Sequence, residues 1–246
     1  MNAHLKDDHS PGAISARLAT RKTAGYLGDA VLGAIDGCVT TFAVVAAAVG
    51  GGFSGNVIIV LGFANLIADG FSMAVSNYLG TKSQHEEIEN ARADERRHIE
   101  EIPEGEREEI RQIFAGKGFA GEVLETIVTV ITADRKLWVE TMVTEELGLD
   151  GGKRSPRRAA LATFVAFLCV GLLPLIPYLV PLLDHSRQFV ASAVMTGVAF
   201  AAIGVAKGML LRRSVLRSGL ETLLTGGGAA ALAFFVGAWL RHAYGA

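Results

Sequence analysis

Carboxylates, one imidazole and one thioether recur at helical spacing in the middle of this 246-residue chain. Glu95 and His98 are three positions apart, as are Glu106 and Glu109, while Met142 and Glu146 are four apart. Residues at these separations share a helix face, so three helices could bring the pairs together. Oxygen, nitrogen and sulfur donors in one place suit a borderline divalent cation such as Fe2+ or Mn2+. The same residues also make a solvated acidic surface, and Met142 alone makes core packing. Spacing leaves both readings open.

A second set lies in apolar surroundings. Asp36 sits in Gly33-Ala34-Ile35-Asp36-Gly37, and Asn65, Asp69, Met73 and Asn77 follow one another at four-residue intervals on a later apolar segment. Four-residue steps make a nearly straight stripe on a helix. An ionisable residue inside a membrane costs about 2.5–3.5 kcal/mol on insertion scales and is a functional candidate by default. A stripe of acceptors facing a carboxylate reads as a cation path. The alternative is that Asp36 and Asp69 cap or hydrogen-bond neighbouring helices. Asp29 reads as structural or as part of a vestibule, and Cys38 as a small packing residue.

The elements that must carry these groups follow from hydropathy and charge. Half of the residues are hydrophobic and a fifth are charged. A helix needs roughly 20 apolar residues to cross a bilayer, and five segments qualify: 26–50, 57–81, 159–183, 189–206 and 222–240. Pro174, Pro177 and Pro181 predict that the third is kinked or ends early. Residues 83–152 hold 18 acidic and 8 basic residues, a balance of −10, against +8 for the remainder. The chain is therefore expected to be an all-α integral membrane protein: five transmembrane helices with a small helical cytoplasmic domain inserted after the second. Its expected divisions are an N-terminal tail without structure (1–22), helices 1 and 2 (23–82), the acidic insert (83–152) and helices 3 to 5 (153–246).

Within the insert the second span is expected to run on as a polar helix as far as Pro103, which stops it. Pro103 to about Phe114 restarts a helix, and Gly116, Gly118 and Gly121 precede an apolar-periodic helix carrying Val123, Ile127 and Val130. Asp134 can cap a last helix, ended by Gly148. Basic residues at 17, 21, 22, 82, 153, 154, 157, 158, 207, 212, 213 and 217 all fall on one side of this arrangement. The positive-inside rule then places the N-terminus and the insert in the cytoplasm and the C-terminus across the membrane. No cleavable signal segment is evident at the N-terminus, which leads us to expect a bacterial inner membrane.

Other chemistries find no support. The two cysteines, Cys38 and Cys169, lie in apolar runs, which excludes a disulfide framework or a Cys-based zinc site. There is no phosphate-binding Gly motif and no Ser-His-Asp pattern, and His4, His9, His85, His185 and His242 have no partner visible in the sequence. The basic residues lie at membrane edges, so nucleic-acid binding, an enzymatic role and a prosthetic group are not expected.

Three stretches resemble the vacuolar iron transporter family: Asp29-Ala-Val-Leu-Gly-Ala-Ile-Asp36-Gly37, Ser72-Met73-Ala-Val-Ser-Asn-Tyr78-Leu79 and Trp138-Val-Glu-Thr-Met142-Val-Thr-Glu145-Glu146. The resemblance covers about residues 23 to 245, in order. It implies a homodimer that moves Fe2+, or Mn2+, out of the cytoplasm in exchange for protons. It implies that Asp36 and Met73 line the path, and that Glu95, His98, Glu106, Glu109, Met142, Val143 and Glu146 match the metal-collecting positions of the insert. Three positions depart from the family pattern. His98 stands where a Glu is usual, Val143 where a second Met is common, and Asn65 where a Glu is common. Asp69, one turn beyond Asn65, reads as that acid displaced along the same face.

The expected function is thus a divalent metal transporter. The insert gathers Fe2+ or Mn2+ and passes it along Asp36, Asp69 and Met73, with Asn65 beside them; protons and membrane lipid are the other partners. The alternative is a membrane-anchored cytoplasmic iron buffer or sensor that binds metal without moving it.

Overall fold

A computed structural model describes residues 10–19, 25–149, 154–180, 184–210 and 214–245. All regular structure among them is helical. In chain order the helices are α1 (Pro11–Ala19), α2 (Leu27–Gly50), α3 (Gly55–Glu101), α4 (Pro103–Gly116), α5 (Gly121–Ala133), α6 (Arg135–Glu145) and α7 (Pro156–Gly171). A 3-10 segment (Leu173–Leu179), α8 (His185–Leu210) and α9 (Val215–Tyr244) complete the series. Helices α2, α3, α8 and α9 are each long and apolar enough to cross a membrane; α7 and the 3-10 segment, bent by 40° at their junction, would together make a fifth span. Pro174 and Pro177 fall in the 3-10 segment, where the missing N–H groups break the α-helical ladder. Pro181 lies outside the described residues, as do His4, His9, Arg21, Lys22, Lys153, Arg212 and Arg213.

One expectation fails early. The N-terminal tail was expected to lack structure, yet Pro11–Ala19 is helical. Proline suits a first helical turn, and Ser10 caps it, its Oγ accepting from the Ala13 N–H at 3.3 Å.

The chain divides into two compact units, residues 80–154 and the remainder. In the larger unit the helix seams are lined by glycine. A Cβ at Gly33 or Gly37 would run into the backbone of Thr163 or Phe167 on α7, and one at Gly237 of α9 would meet the Ala47 carbonyl of α2. Small residues of this kind let membrane helices approach closely. The closeness lets polar groups reach across. Asn77 of α3 donates from Nδ2 to Asp29 Oδ1 of α2 (3.0 Å) and to Thr163 Oγ1 of α7 (2.6 Å). Further along the helices Phe42, Val45, Leu66, Phe167 and Leu175 form the apolar core.

The smaller unit is built from the second part of α3 with α4, α5 and α6. Its core is Ile99, Ile110, Leu124, Val128, Ile131, Trp138, Val139, Met142 and Val143. The buried side of α5 is therefore Leu124, Val128 and Ile131. Val123 and Val130, expected to mark the apolar face, are exposed. The apolar residues of α5 form one broad face; the core covers its Leu124–Val128–Ile131 edge and leaves the Val123–Val130 edge outside, a choice periodicity does not make. Asp134 caps α6 as expected, accepting from the N–H groups of Lys136 (2.9 Å) and Leu137 (3.2 Å).

Gly37→Val should weaken the α2–α7 seam by about 1–3 kcal/mol, the usual cost of overpacking. It should appear as a lower melting temperature of the detergent-purified protein, whereas Gly197→Ala, with open space at the position, should leave the melt unchanged.

Candidate metal centre

Glu95 and His98 lie on α3, one helical turn apart, and point to the same side. The chain reverses at Ile102 and restarts with Pro103 at the first position of α4, so Glu106 returns beside them. The N-terminal turn of α4 favours negative charge there. His98 Nδ1 is 3.6 Å from Glu106 Oε1 and 4.0 Å from Glu95 Oε1. One ligand atom from each of the three residues falls within 4.8 Å of the others. Glu95 is only 4% exposed and Glu106 only 2%, and the Oε2 atom of each is buried with no hydrogen-bond partner. Buried polar atoms are seldom left so; a cation or a proton completes them.

Charge pairing separates these acids from their neighbours. Arg92 forms a two-pronged pair with Glu140 (2.9 and 3.1 Å) and also reaches Glu89. Arg111 does the same with Glu125 and reaches Glu108, while Lys117 pairs with Glu145 and Arg135 with Glu100. Asp94, Glu86 and Glu104 also have basic partners. Among the described residues, no lysine or arginine pairs with Glu95, Glu106, Glu109 or Glu146. Glu87, Glu101 and Glu122 also have no basic partner among the described residues but are open to water, whereas Glu95 and Glu106 are buried.

The proton affinities follow. Burial pushes Glu106 from 4.5 up to about 7, and the charges of Glu109, Glu95 and Glu146 push the same way. Burial likewise raises Glu95, although His98 acts against it, and raises Glu146 with help from Glu109 and Glu95. Glu109 and Glu146 are exposed at the margin of the cluster and act on it through their charge. Met142 is fully buried among Ile99, Ile110 and Trp138, and Val143 is buried beside it. An acidic groove of about 590 Å3, lined by Glu86, Glu87, Asn90, Asp94, Glu95 and His98, opens next to the centre. Its α3 residues recur at alternating steps of three and one, a single helix face that residue order does show, but Leu147 and Leu149 close the groove from another part of the chain, which it does not.

In the larger unit the expected stripe divides. Asn77 is committed to the Asp29–Thr163 bridge. Asn65 donates to Asp69. Met73 is half-buried against the apolar core. No donor among the described residues reaches the Asp36 carboxylate, although its backbone carbonyl accepts from Thr40 Oγ1 (2.9 Å).

Stacked apolar helices joined to an acidic helical unit define the class: a multi-pass membrane protein. The family model described as VIT family matches residues 27–238, and the chain belongs to that family. It is 32% identical over 225 residues to Vacuolar iron transporter 1 of Arabidopsis thaliana, covering 89% of this chain and 88% of the relative. It is 31% identical to Vacuolar iron transporter 1 of Eucalyptus grandis (94% and 90% covered). To the Vacuolar iron transporter of Toxoplasma gondii it is 29% identical (92% and 78%).

Because Glu106 holds its proton up to about pH 7 when folded and only to about 4.5 otherwise, the folded state binds more protons between those values. Metal-free protein should therefore lose stability as pH rises through that window and keep it below. Glu106→Gln should raise the metal-free melting temperature at pH 7.5 and flatten this pH dependence, and should also reduce the stabilisation added by metal. Thermal melts followed by tryptophan emission at pH 5.5 and 7.5 check all three.

Proposed function

We propose that the protein transports Fe2+, with Mn2+ as a second cargo, out of the cytoplasm in exchange for protons. The observation that carries this reading is the cluster of Glu95, His98 and Glu106, buried and without a basic partner, in a chain of the VIT family whose relatives are named for iron transport. The basic flanks of the spans support a cytoplasmic smaller unit, and on this reading it gathers the ion. Its net negative charge raises the local cation concentration.

From there the ion passes to Asp36, Asp69 and Met73, with Asn65 holding Asp69. Two oxygen ligands and a thioether suit a borderline cation. A carboxylate in an apolar setting holds either a proton or a metal, and that exclusivity couples the two flows. Asn65 also lines a mostly apolar groove of about 660 Å3 with Val44, Ala47, Leu61, Ala64 and Val236. We propose that a second copy of the chain closes this side in a homodimer, so that neither copy must enclose the path alone.

Purified protein in liposomes, with a fluorescent metal reporter inside and an imposed pH gradient, tests the reading. Fe2+ flux should follow the gradient and vanish in Asp36→Ala while that variant still folds and inserts. Metal binding without flux under either gradient would instead indicate an anchored buffer.

A further inference from the structure

We infer that His98 sets the metal preference of the cytoplasmic centre, favouring Fe2+ and the later divalent ions over Mn2+ and rejecting Mg2+ and Ca2+. This rests on the reading of Glu95, His98 and Glu106 as a metal centre, and it assigns a role within it that the cluster alone does not.

The argument is one of donor type and charge. Glu95 and Glu106 supply hard oxygen, which alone suits Mg2+, Ca2+ and Mn2+. His98 supplies the nitrogen in the set, with Nδ1 facing both carboxylates at 4.0 and 3.6 Å. Imidazole suits Fe2+ and the ions beyond it, and affinity at a mixed nitrogen and oxygen site rises from Mn2+ through Fe2+ to Co2+. Neutral imidazole also adds a ligand without adding charge. A third carboxylate would strengthen the pull on every dication alike and would raise the repulsion already acting on Glu106 from Glu95, Glu109 and Glu146.

Geometry lets His98 act as a ligand and not as packing. Its side chain is 40% exposed and borders the acidic groove that runs along Glu86, Glu87 and Asp94. The carboxylates behind it are buried, with unpartnered Oε2 atoms. An ion arriving through the groove meets the imidazole as it reaches the closed end of the cluster.

The test uses full-length protein in detergent, titrated separately with Mn2+ and with Co2+, an air-stable probe for the later ions. Wild type, His98→Glu, His98→Gln and Glu106→Gln are compared, and pulsed electron paramagnetic resonance of bound Mn2+ reports any coordinated nitrogen. Wild type should prefer Co2+ and show nitrogen modulation. His98→Glu should lower the Co2+-to-Mn2+ affinity ratio about tenfold, with Mn2+ affinity kept or increased, and the modulation should disappear. His98→Gln, which keeps size and neutrality, should also lose the modulation and the preference. An unchanged ratio in both His98 variants, with modulation intact, would overturn the assignment while leaving the centre in place. Unchanged binding of both ions in Glu106→Gln would instead remove the centre itself.

Discussion

Carboxylates crowded together away from water are the constraint around which the smaller unit is arranged. Each one ionised costs desolvation energy and repels the others, and a low local dielectric magnifies both effects. The unit answers by spending its arginines and lysines elsewhere. Arg92, Arg111, Lys117 and Arg135 bind acids that tie α3 to α6 and α4 to α5, and Arg135 ties α6 to α3. Glu95 and Glu106 are left to be satisfied by a proton or a dication. The apolar residues Ile99, Ile110, Met142 and Val143 belong to the core that packs the helices carrying them.

That arrangement explains why helices of quite different strength suffice. Exposed ion pairs contribute little, typically under about 1 kcal/mol each. The bidentate Arg92–Glu140 pair, with Arg92 largely shielded from solvent, gives orientation as well as energy. Orientation matters most here, because the centre depends on α4 returning to α3 at the correct height. At the reversal the Ile102 N–H donates to the His98 carbonyl (2.8 Å) as the last bond of α3, and the Ile102 carbonyl accepts from Gly105 (3.0 Å) and Glu106 (3.3 Å) as the first bonds of α4.

Much of this was legible from residue order. Apolar length marked the spans, Pro103 marked the end of the long α3, Asp134 marked the start of α6, and the proline cluster after Gly171 marked the bent segment. These are local signals, set by backbone chemistry that acts within a turn or two. The pairs Glu95–His98 and Glu106–Glu109 were likewise visible as helix-face neighbours. What residue order could not show was tertiary. Whether an acid is paired depends on which arginine lies opposite, and Glu109 and Glu106 look alike in sequence although one is exposed and the other buried. The buried side of α5 was misjudged because its apolar face is broader than the strip the core covers, and which edge is covered depends on the neighbouring helices. The commitment of Asn77 was hidden because it needs α7 within reach of α3. That reach depends on Gly33 and Gly37, residues with no polar atoms beyond the backbone.

The two units solve a similar electrostatic problem with different frames. In the larger one, Asn77 takes up the Asp29 carboxylate, and Asn65 takes up part of Asp69. An amide donor steadies a carboxylate without neutralising it. Asp36 and Asp69 are two like acids in an apolar surrounding, as Glu95 and Glu106 are in the smaller unit. In each place packing, glycine seams in one and an aliphatic core in the other, holds the helices that carry the acids. Relief then comes by adding positive charge, either one proton at a time or as a single dication. On the proposed function this shared condition makes metal and proton mutually exclusive at both stations, and the difference between the stations lies in their third ligand. On that proposal the station in the smaller unit offers imidazole and the one in the larger unit a thioether, so each would favour a borderline cation over the harder ions that water holds more strongly.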